Sequence, residues 1–551
     1  MIRIAWALLL CLPALSAAQE TRPLTEDVAA EIGAFYNQPT TIRLSGETRI
    51  PPGAELVGDV ATVGGPLTVA GTIAGDVVVI NGDLELRPEG RITGRVTVVG
   101  GRVGGATESL AGRAVVYPEA LRFRREGDRL VDVGPRRESW LSAAWPTRFG
   151  RAEFTVAVDG AYNRVEGLPV AFGPRLELGR SNPTVIDARL IYRTRSGLRV
   201  HPDEFGHDLR IEQFLGGHRA VRVGVGFHRT IDPIELNGLS DTENSLTTFV
   251  LHRDYRDHYV RHGWRAYLGY GGRTLPLSAG LEYRDEDHGS AEARTPWSLL
   301  ENDEPWRTQP QAAEGPLGTI RGWLTWDTRN DRDDPATGWL VEVESEQGLE
   351  GELRLRRYDP GLDRVETRPF GAEYTTLRVD ARRYIRLGPR TRLALRAMAA
   401  GSPDDGALPP QRQHVLGGEG TLPGYDRFAF DCSAREAPLV DGFLPYYGCD
   451  RSVLLQAEAR FSLASNGLGI GRRLGLDFDL VSSPELVVFA DAGRAWIERE
   501  SLGERLETGP SRLHYDLGAG IRLGRLGLYI AAPLSGDGGG PNFFIRLGPR
   551  L

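Results

Sequence analysis

The chain has 551 residues, too many for one ordinary domain, and a formal net charge of −8. That acidity excludes a general attraction to nucleic acid. Beyond the first residues there is no run of about 18 apolar residues, which excludes a transmembrane helix. It does not exclude a transmembrane barrel, whose apolar residues alternate with polar ones.

Residues 1–18, MIRIAWALLLCLPALSAA, read as a signal peptide. Arg3 supplies the positive start, Ile4 to Leu15 the short apolar core, and Ser16-Ala17-Ala18 a small-residue cleavage site. Cys11 falls inside it. Cys432 and Cys449 then remain in an oxidising compartment, where two cysteines read as one disulfide. Residues 19–40 show no clear period and read as a flexible lead. Residues 41–116 repeat. Gly58-Asp59-Val60, Gly75-Asp76-Val77 and Gly94-Arg95-Val96 occupy equivalent positions, 17 and 19 residues apart. Short Val/Ile alternations cut by Gly, at a period of about 18, predict a β-solenoid whose stacked coils bury a continuous core. Glycine would supply positive φ at the corners. A small Gly-rich β-sandwich is the competing reading. The segment resembles the bactofilin, or polymer-forming, β-helix, and periplasmic partners or self-association are expected for it. Residues 117–148 are charged, carry Pro118, Pro135 and Pro146, and read as a linker.

From 149 to 551 segments of strict apolar/polar alternation recur. In 512–523, Leu513, Tyr515, Leu517, Ala519, Ile521 and Leu523 form one face against Arg512, His514, Asp516, Gly518, Gly520 and Arg522. Segments 453–463, 486–496 and 543–551 behave alike. Period two places such sets on opposite faces of a sheet. The segments run to about ten residues, the length of a tilted transmembrane strand, rather than the five or six of soluble sheets. Sixteen strands are expected, near 150–160, 167–179, 185–196, 207–216, 219–229, 262–271, 276–285, 316–327, 338–348, 372–385, 390–401, 451–463, 486–496, 512–523, 525–533 and 542–551. The number is even. Long loops, 230–261, 286–315, 349–371 and 403–450, fall on one side and short turns on the other, with 464–485 the exception. The expected fold class is all-β: a 16-stranded transmembrane β-barrel, residues 149–551, preceded by a small periplasmic β-solenoid. The expected location is the outer membrane of a Gram-negative-type bacterium.

Three motifs lie in order along these strands. Asp327-Thr328-Arg329-Asn330 precedes Pro335-Ala336-Thr337-Gly338 at a periplasmic turn. Gly417-Gly418 precedes Leu422-Pro423-Gly424-Tyr425-Asp426-Arg427 in the sixth outer loop. Phe489-Ala490-Asp491-Ala492-Gly493 follows on the lumen face of a later strand. On these motifs residues 316–551 resemble the bacterial surface-antigen barrels, the family of BamA, TamA and the two-partner secretion transporters. The resemblance implies a sixth loop folded back into the lumen, with a Val-Arg-Gly-Phe/Tyr tip whose arginine pairs with the Asp of F-x-D-x-G. Here Pro423 stands at the arginine position. Asp491, costly if left unpaired, then needs another cation. Arg427 is expected to supply it, with Arg460, Arg512 and Arg522 as rivals on neighbouring strands. Gly424 is expected to permit a tight turn and Tyr425 to pack in the lumen with its hydroxyl satisfied. A Cys432–Cys449 bond would close the loop's return leg. Members of the family that insert or secrete proteins carry POTRA domains of mixed helix and strand, whereas residues 19–147 read as a solenoid. Leu551 stands where outer-membrane strands usually finish with an aromatic residue.

His201, Asp203, Glu204 and His207 have metal-ligand chemistry but sit in an expected outer loop with no helix to align them, so no metal is expected. Residues 254–264 read as a short helix or a charged loop. No G-x-S-x-G elbow and no ordered nucleophile–base–acid set occurs, so neither enzymatic activity nor a cofactor is expected. The resemblance implies a barrel that assembles, inserts or translocates polypeptide or lipid, in contact with outer-membrane lipid and a client polypeptide. A weak seam between first and last strands would template the client by strand pairing. The alternative is a passive anchor or structural protein whose solenoid binds envelope partners.

Overall fold

The computed structural model describes residues 19–551, apart from 22–25, 107–109, 111–113, 118–120, 122, 127–128, 133–140, 180–181, 196, 198–200, 217–219, 235–238, 272–275, 301–304, 331, 333, 360, 363, 389, 405, 431, 433–438, 440–441, 445–447, 464–483, 498–511 and 536–538. The expected signal peptide therefore lies outside the described residues, as does nearly all of the long connection 464–485. The chain divides into two compact units, Met1–Arg137 with Thr328–Thr337, and Glu138–Asp327 with Gly338–Leu551.

The first unit is a parallel β-solenoid. Ile42–Ser45, Val60–Val63, Val77–Ile80, Val96–Val99 and Ala114–Tyr117 stack in register, so that Val60, Val77 and Val96 stand above one another. Two further stacks, through Thr48–Ile50 and Glu55–Val57, complete the coils. The core is Val60, Leu67, Val69, Ile73, Val77, Leu84 and Ile92, all fully buried. The repeated Gly-Asp-Val has a structural reason. Asp59 accepts the Asp76 N–H at 2.9 Å, and Asp76 accepts that of Arg95 at 2.8 Å. Only Gly58 of the three corner glycines has positive φ, 121°. Gly75 and Gly94 are required by close approach instead: a Cβ on either would meet the preceding coil's carbonyl oxygen, that of Gly58 or Gly75, at 2.2 Å.

The lead, expected to be flexible, contains helix α1, Glu26–Asn37. Ile32 and Tyr36 lie on one helical face and cover Ala61, Val63, Val78, Ile80 and Val99. The solenoid sheet buries both of its faces, and α1 closes the outer one. Part of the expected linker is likewise ordered. Phe123–Glu126 pairs with Arg129–Asp132, and Asn37 fixes Leu130 by donating to its carbonyl and accepting its N–H at 2.7 and 2.8 Å.

The second unit is a seventeen-stranded antiparallel sheet whose spatial order follows chain order. Its strands are β1 Leu141–Thr147, β2 Gly150–Val158, β3 Pro169–Leu178, β4 Thr184–Arg193, β5 Phe205–Leu215, β6 Val221–Pro233, β7 His258–Gly271, β8 Leu277–Ser290, β9 Gly315–Asp327, β10 Gly338–Gly351, β11 Tyr374–Gly388, β12 Thr391–Gly401, β13 Arg451–Ser462, β14 Glu485–Trp496, β15 His514–Leu523, β16 Leu526–Pro533 and β17 Asn542–Leu547. All sixteen expected strands are present. The additional one, β1, falls in the expected linker, where Pro146 and the short alternation disguise it. Strand β17 stops at Leu547 rather than running to 551, because Gly548 has φ of 140° and Pro549 has no N–H to give a ladder. Helix α2, Asp241–Leu251, lies before the expected 254–264 segment, which is extended instead.

The polarity of this sheet is inverted. Leu455, Leu486, Val488, Leu517, Ile521, Leu528, Ile530 and Ile545 are exposed, while Glu282, Glu286, Glu346, Asp380, Arg396, Glu458 and Asp491 are buried. A soluble sandwich places those sets the other way round. An apolar exterior around a charged interior is the arrangement of an outer-membrane barrel.

In the solenoid, Leu84→Ala should cost about 2–5 kcal/mol, as for other buried leucines. Amide hydrogen exchange on the full chain should then speed up across residues 60–99 and not in β13–β16; unchanged exchange in the solenoid would contradict its core assignment.

Candidate functional site

Alternation along β14 puts Phe489, Asp491 and Gly493 on one buried face. Each meets a different partner. The Arg550 guanidinium lies 3.7 Å over the Phe489 ring. It donates to both Asp491 oxygens, at 3.0 and 2.8 Å, and to Glu458 of β13 at 3.1 Å. Glu458 also accepts from Arg460 Nε at 2.6 Å, and Arg460 donates to the Leu551 carbonyl at 3.0 Å. The Asp491, Glu458 and Arg550 side chains are at most 1% exposed. Such a cluster holds because Arg550 and Arg460 answer the Asp491 and Glu458 carboxylates. Phe489 can lie against the sheet because β15 offers Gly518, where a Cβ would come within 2.0 Å of its ring.

Gly493 makes room for the sixth outer loop. A Cβ there would sit 3.0 Å from Leu416 and 3.3 Å from Leu422. Leu422 is fully buried, with Tyr425, Phe430, Cys432 and Cys449 in the same cluster. Gly424 donates its N–H to Asp516 Oδ2 at 2.7 Å. Its φ is not positive; a Cβ would stand 2.6 Å from that of Asp516, so close approach is what demands glycine. The Tyr425 hydroxyl lies 2.5 Å from the Ser535 carbonyl and 3.0 Å from that of Tyr515. Gln456 donates to Thr421 O at 2.9 Å, and Asn542 to Pro423 O at 3.3 Å. Asp426 is exposed. The tip is thus pinned against β13–β17 without an arginine.

The expected Arg427–Asp491 pair does not form. Arg427 pairs with Glu419 and stacks on Tyr255 at 3.9 Å. Gly418, with φ of 87°, lies against Arg427, where a Cβ would stand 3.2 Å from the arginine Cα. Of the rival strand arginines, Arg460 binds Glu458 and Arg522 binds Glu485. Arg550 was hidden in the alternation of the last segment, and Gly548-Pro549 was the signal that the strand ends before it.

Loop residues further from the tip are equally held. Arg412 pairs with Glu346 at 2.6 Å, and Glu346 accepts the Tyr374 hydroxyl at 2.6 Å. Cys432 and Cys449 are bonded, with Cα atoms 5.1 Å apart. Helix α2 reaches the last strand. Glu243 accepts Arg546 Nε at 2.8 Å and the Leu547 N–H at 2.7 Å, while its other oxygen accepts from Ser240 to complete the helix cap. Fully buried Arg164, between β2 and β3, binds Asp257 at 2.6 Å and Asp254 at 3.1 Å, tying the first outer loop to the third.

The D-x-R-N and P-x-x-G residues form a self-closing turn. Asn330 Oδ1 accepts the Ala336 and Thr337 N–H groups at 2.9 Å each. Asp327 ends β9 and Gly338 begins β10, with φ of 110°. Arg329 leans on the Arg332 carbonyl at 3.3 Å, and Pro335 directly precedes the bonded Ala336. Of the metal-ligand types noted above, His201 and Asp203 pair at 3.3 Å on the surface, Glu204 pairs with Arg195, and His207 points elsewhere along β5.

Removing Arg550 strands the buried Asp491 carboxylate and leaves Glu458 with Arg460 alone, so Arg550→Ala should cost about 3–5 kcal/mol. The measurement is the temperature at which the folded gel species converts to the unfolded one. Asp491→Asn should lower it less, and the double change should be less than additive, since both disturb one cluster. Arg427→Ala should leave that temperature nearly unchanged; a drop equal to that of Arg550→Ala would contradict the assignment. Separately, without reductant neither Cys432 nor Cys449 should label with maleimide. Reduction should raise protease access to residues 415–450, the bond being worth about 3 kcal/mol for a loop of this size.

The model of the Omp85 superfamily domain matches residues 258–539. No curated protein matches the sequence. Among solved structures, BamA from Haemophilus ducreyi lacking POTRA domains 1–3 is 13% identical, with a TM-score of 0.40 over 75% of this chain and 69% of that one. CdiB from Escherichia coli is 13% identical, with a TM-score of 0.35 over 78% and 66%. CdiB from Acinetobacter baumannii is 9% identical, with a TM-score of 0.31 over 74% and 59%. The family match spans just over half of the chain, from β7 through the β14 motif to the residues before β17, and the chain belongs to the Omp85 superfamily.

Proposed function

We propose that this barrel assembles or translocates client polypeptide at the outer membrane by pairing a client strand to the edge of β2. The observation that carries the reading is the state of the sheet's ends. Among the described residues no ladder joins β1 or β2 to β17. An unpaired edge presents a row of N–H and C=O groups to any extended chain. Here β1 covers part of the β2 edge, from Leu141↔Val156 to Thr147↔Gly150. All seven β1 residues are exposed, so backbone hydrogen bonds do most of the holding. A client strand with the same alternation makes the same bonds and can replace it.

The lumen supports a second reading for the resting state. Helix α2, the loop tip and the segment Gly548–Leu551 all pack inside, which suits a plugged anchor. The two readings differ in whether the edge is used.

Ala143 stands opposite Phe154. A disulfide between Ala143→Cys and Phe154→Cys should lock β1 in place. In proteoliposomes the oxidised protein should lose its acceleration of folding of a urea-denatured outer-membrane barrel, and reductant should restore it. Equal acceleration by locked and unlocked protein would rule out client pairing at this edge. No acceleration by the unlocked protein would favour the anchor.

A further inference from the structure

Not every charged side chain of the barrel faces the lumen. Register aligns His207 of β5, Arg229 of β6, His262 of β7 and Asp287 of β8 in one cross-strand row. Their sequence neighbours Asp208, His228, Arg261 and Glu286 are paired on the inner face. Alternation therefore turns the row outward. On the same outer face the row on the turn side is Leu209, Phe227, Trp264 and Asp285. The row beyond that is Ile211, Val225, Ala266 and Tyr283. On the loop side Ile231 and Val260 are opposed. Strands that were simply leaving the bilayer would not become apolar again past the polar row.

The aromatic residues set the level. Trp264 and Tyr283 lie 5.5 Å apart on the outside, next to exposed Phe227. Aromatic side chains gather at the headgroup region of barrels, and the polar row stands one step further out. A depression of about 360 Å³ opens there, lined by His207, Arg229, Val260, His262, Asp287 and His288. The His207 and His262 rings are 6.4 Å apart, on the strands flanking that of Arg229. Among the described residues the Arg229 side chain has no ion-pair or hydrogen-bond partner, unlike the lumen arginines Arg261, Arg284, Arg396, Arg412 and Arg550.

We propose that this row binds the phosphate of a lipid headgroup in the outward-facing leaflet. The Arg229 fork suits two phosphate oxygens. The imidazoles on either side donate one N–H each. Asp287 stands two strands from Arg229, roughly 10 Å, too far to neutralise it. It can accept from the second nitrogen of His262 and so turn that ring's other N–H toward the phosphate. The occupant is a lipid rather than free phosphate because apolar rows above and below the notch offer surface to acyl chains. The site is independent of the proposed client edge.

The test is native mass spectrometry of the full chain in detergent, titrated with diphosphorylated lipid A or with the same lipid stripped of phosphate. The wild type should prefer the phosphorylated form by about tenfold, the worth of one charge-assisted hydrogen-bond pair. Arg229→Gln should abolish that preference with its folded gel mobility intact, and Arg229→Lys should keep part of it. Equal binding of the two lipids by the wild type, or an unchanged preference in Arg229→Gln, overturns the proposal. So does complete displacement of the lipid by inorganic phosphate at equal concentration, which would mark a free-anion site.

Discussion

The barrel interior depends on one constraint: a carboxylate buried on β14 must be neutralised by something that reaches it. Arg550 does so from beyond the last strand, and in the same place stacks on Phe489 and reaches Glu458. The desolvation of these groups is offset only while each has its counter-charge, so the elements that carry them are interdependent. This also accounts for the departure at Pro423. With Asp491 already satisfied, the loop tip needs no cation. It needs shape, which Gly493 and Gly424 provide by having no side chain where Leu422 and Asp516 approach, and hydrogen bonds such as that from the Gly424 N–H to Asp516.

The same logic runs through the lumen. Glu346 gathers Arg412 and the Tyr374 hydroxyl, Asp380 gathers Arg382 and Arg396, and Arg164 gathers two aspartates. Arginine suits this role because its planar fork serves several acceptors at once. Loops that would otherwise wave above the barrel are thereby sewn to its inner wall, while the outer wall is left mostly apolar apart from the row at His207, Arg229, His262 and Asp287. The two ends of the sheet are the exception to this mutual satisfaction.

How much of this could be read from the residues depends on whether the signal is local. Period-two alternation is local, and it located sixteen strands, their loops and the face of Phe489 and Asp491. The cysteine pair was legible because only two cysteines lie beyond the expected leader. Strand β1 was not, since a proline within seven residues outweighs a weak alternation. Nor was α1, whose apolar face makes sense only against a solenoid sheet that buries both sides. The partner of Asp491 was beyond reach for a different reason. Its choice among arginines is made by the end of the strand at Gly548-Pro549 and by the Glu419 carboxylate and Tyr255 ring that hold Arg427 elsewhere, and such tertiary contacts do not show in spacing.

Glu243 has a mechanical consequence. One of its oxygens completes the cap of α2 and the other holds Arg546 and the Leu547 N–H. The first turn of the helix and the end of the last strand therefore share a single carboxylate. If β17 swings outward, the glutamate must either follow it and uncap the helix, or stay and leave the strand's charge unanswered. Intermediate positions satisfy neither partner. Such a joint makes the end of β17 and the start of α2 one mechanical unit, because neither can move without changing what the shared carboxylate holds.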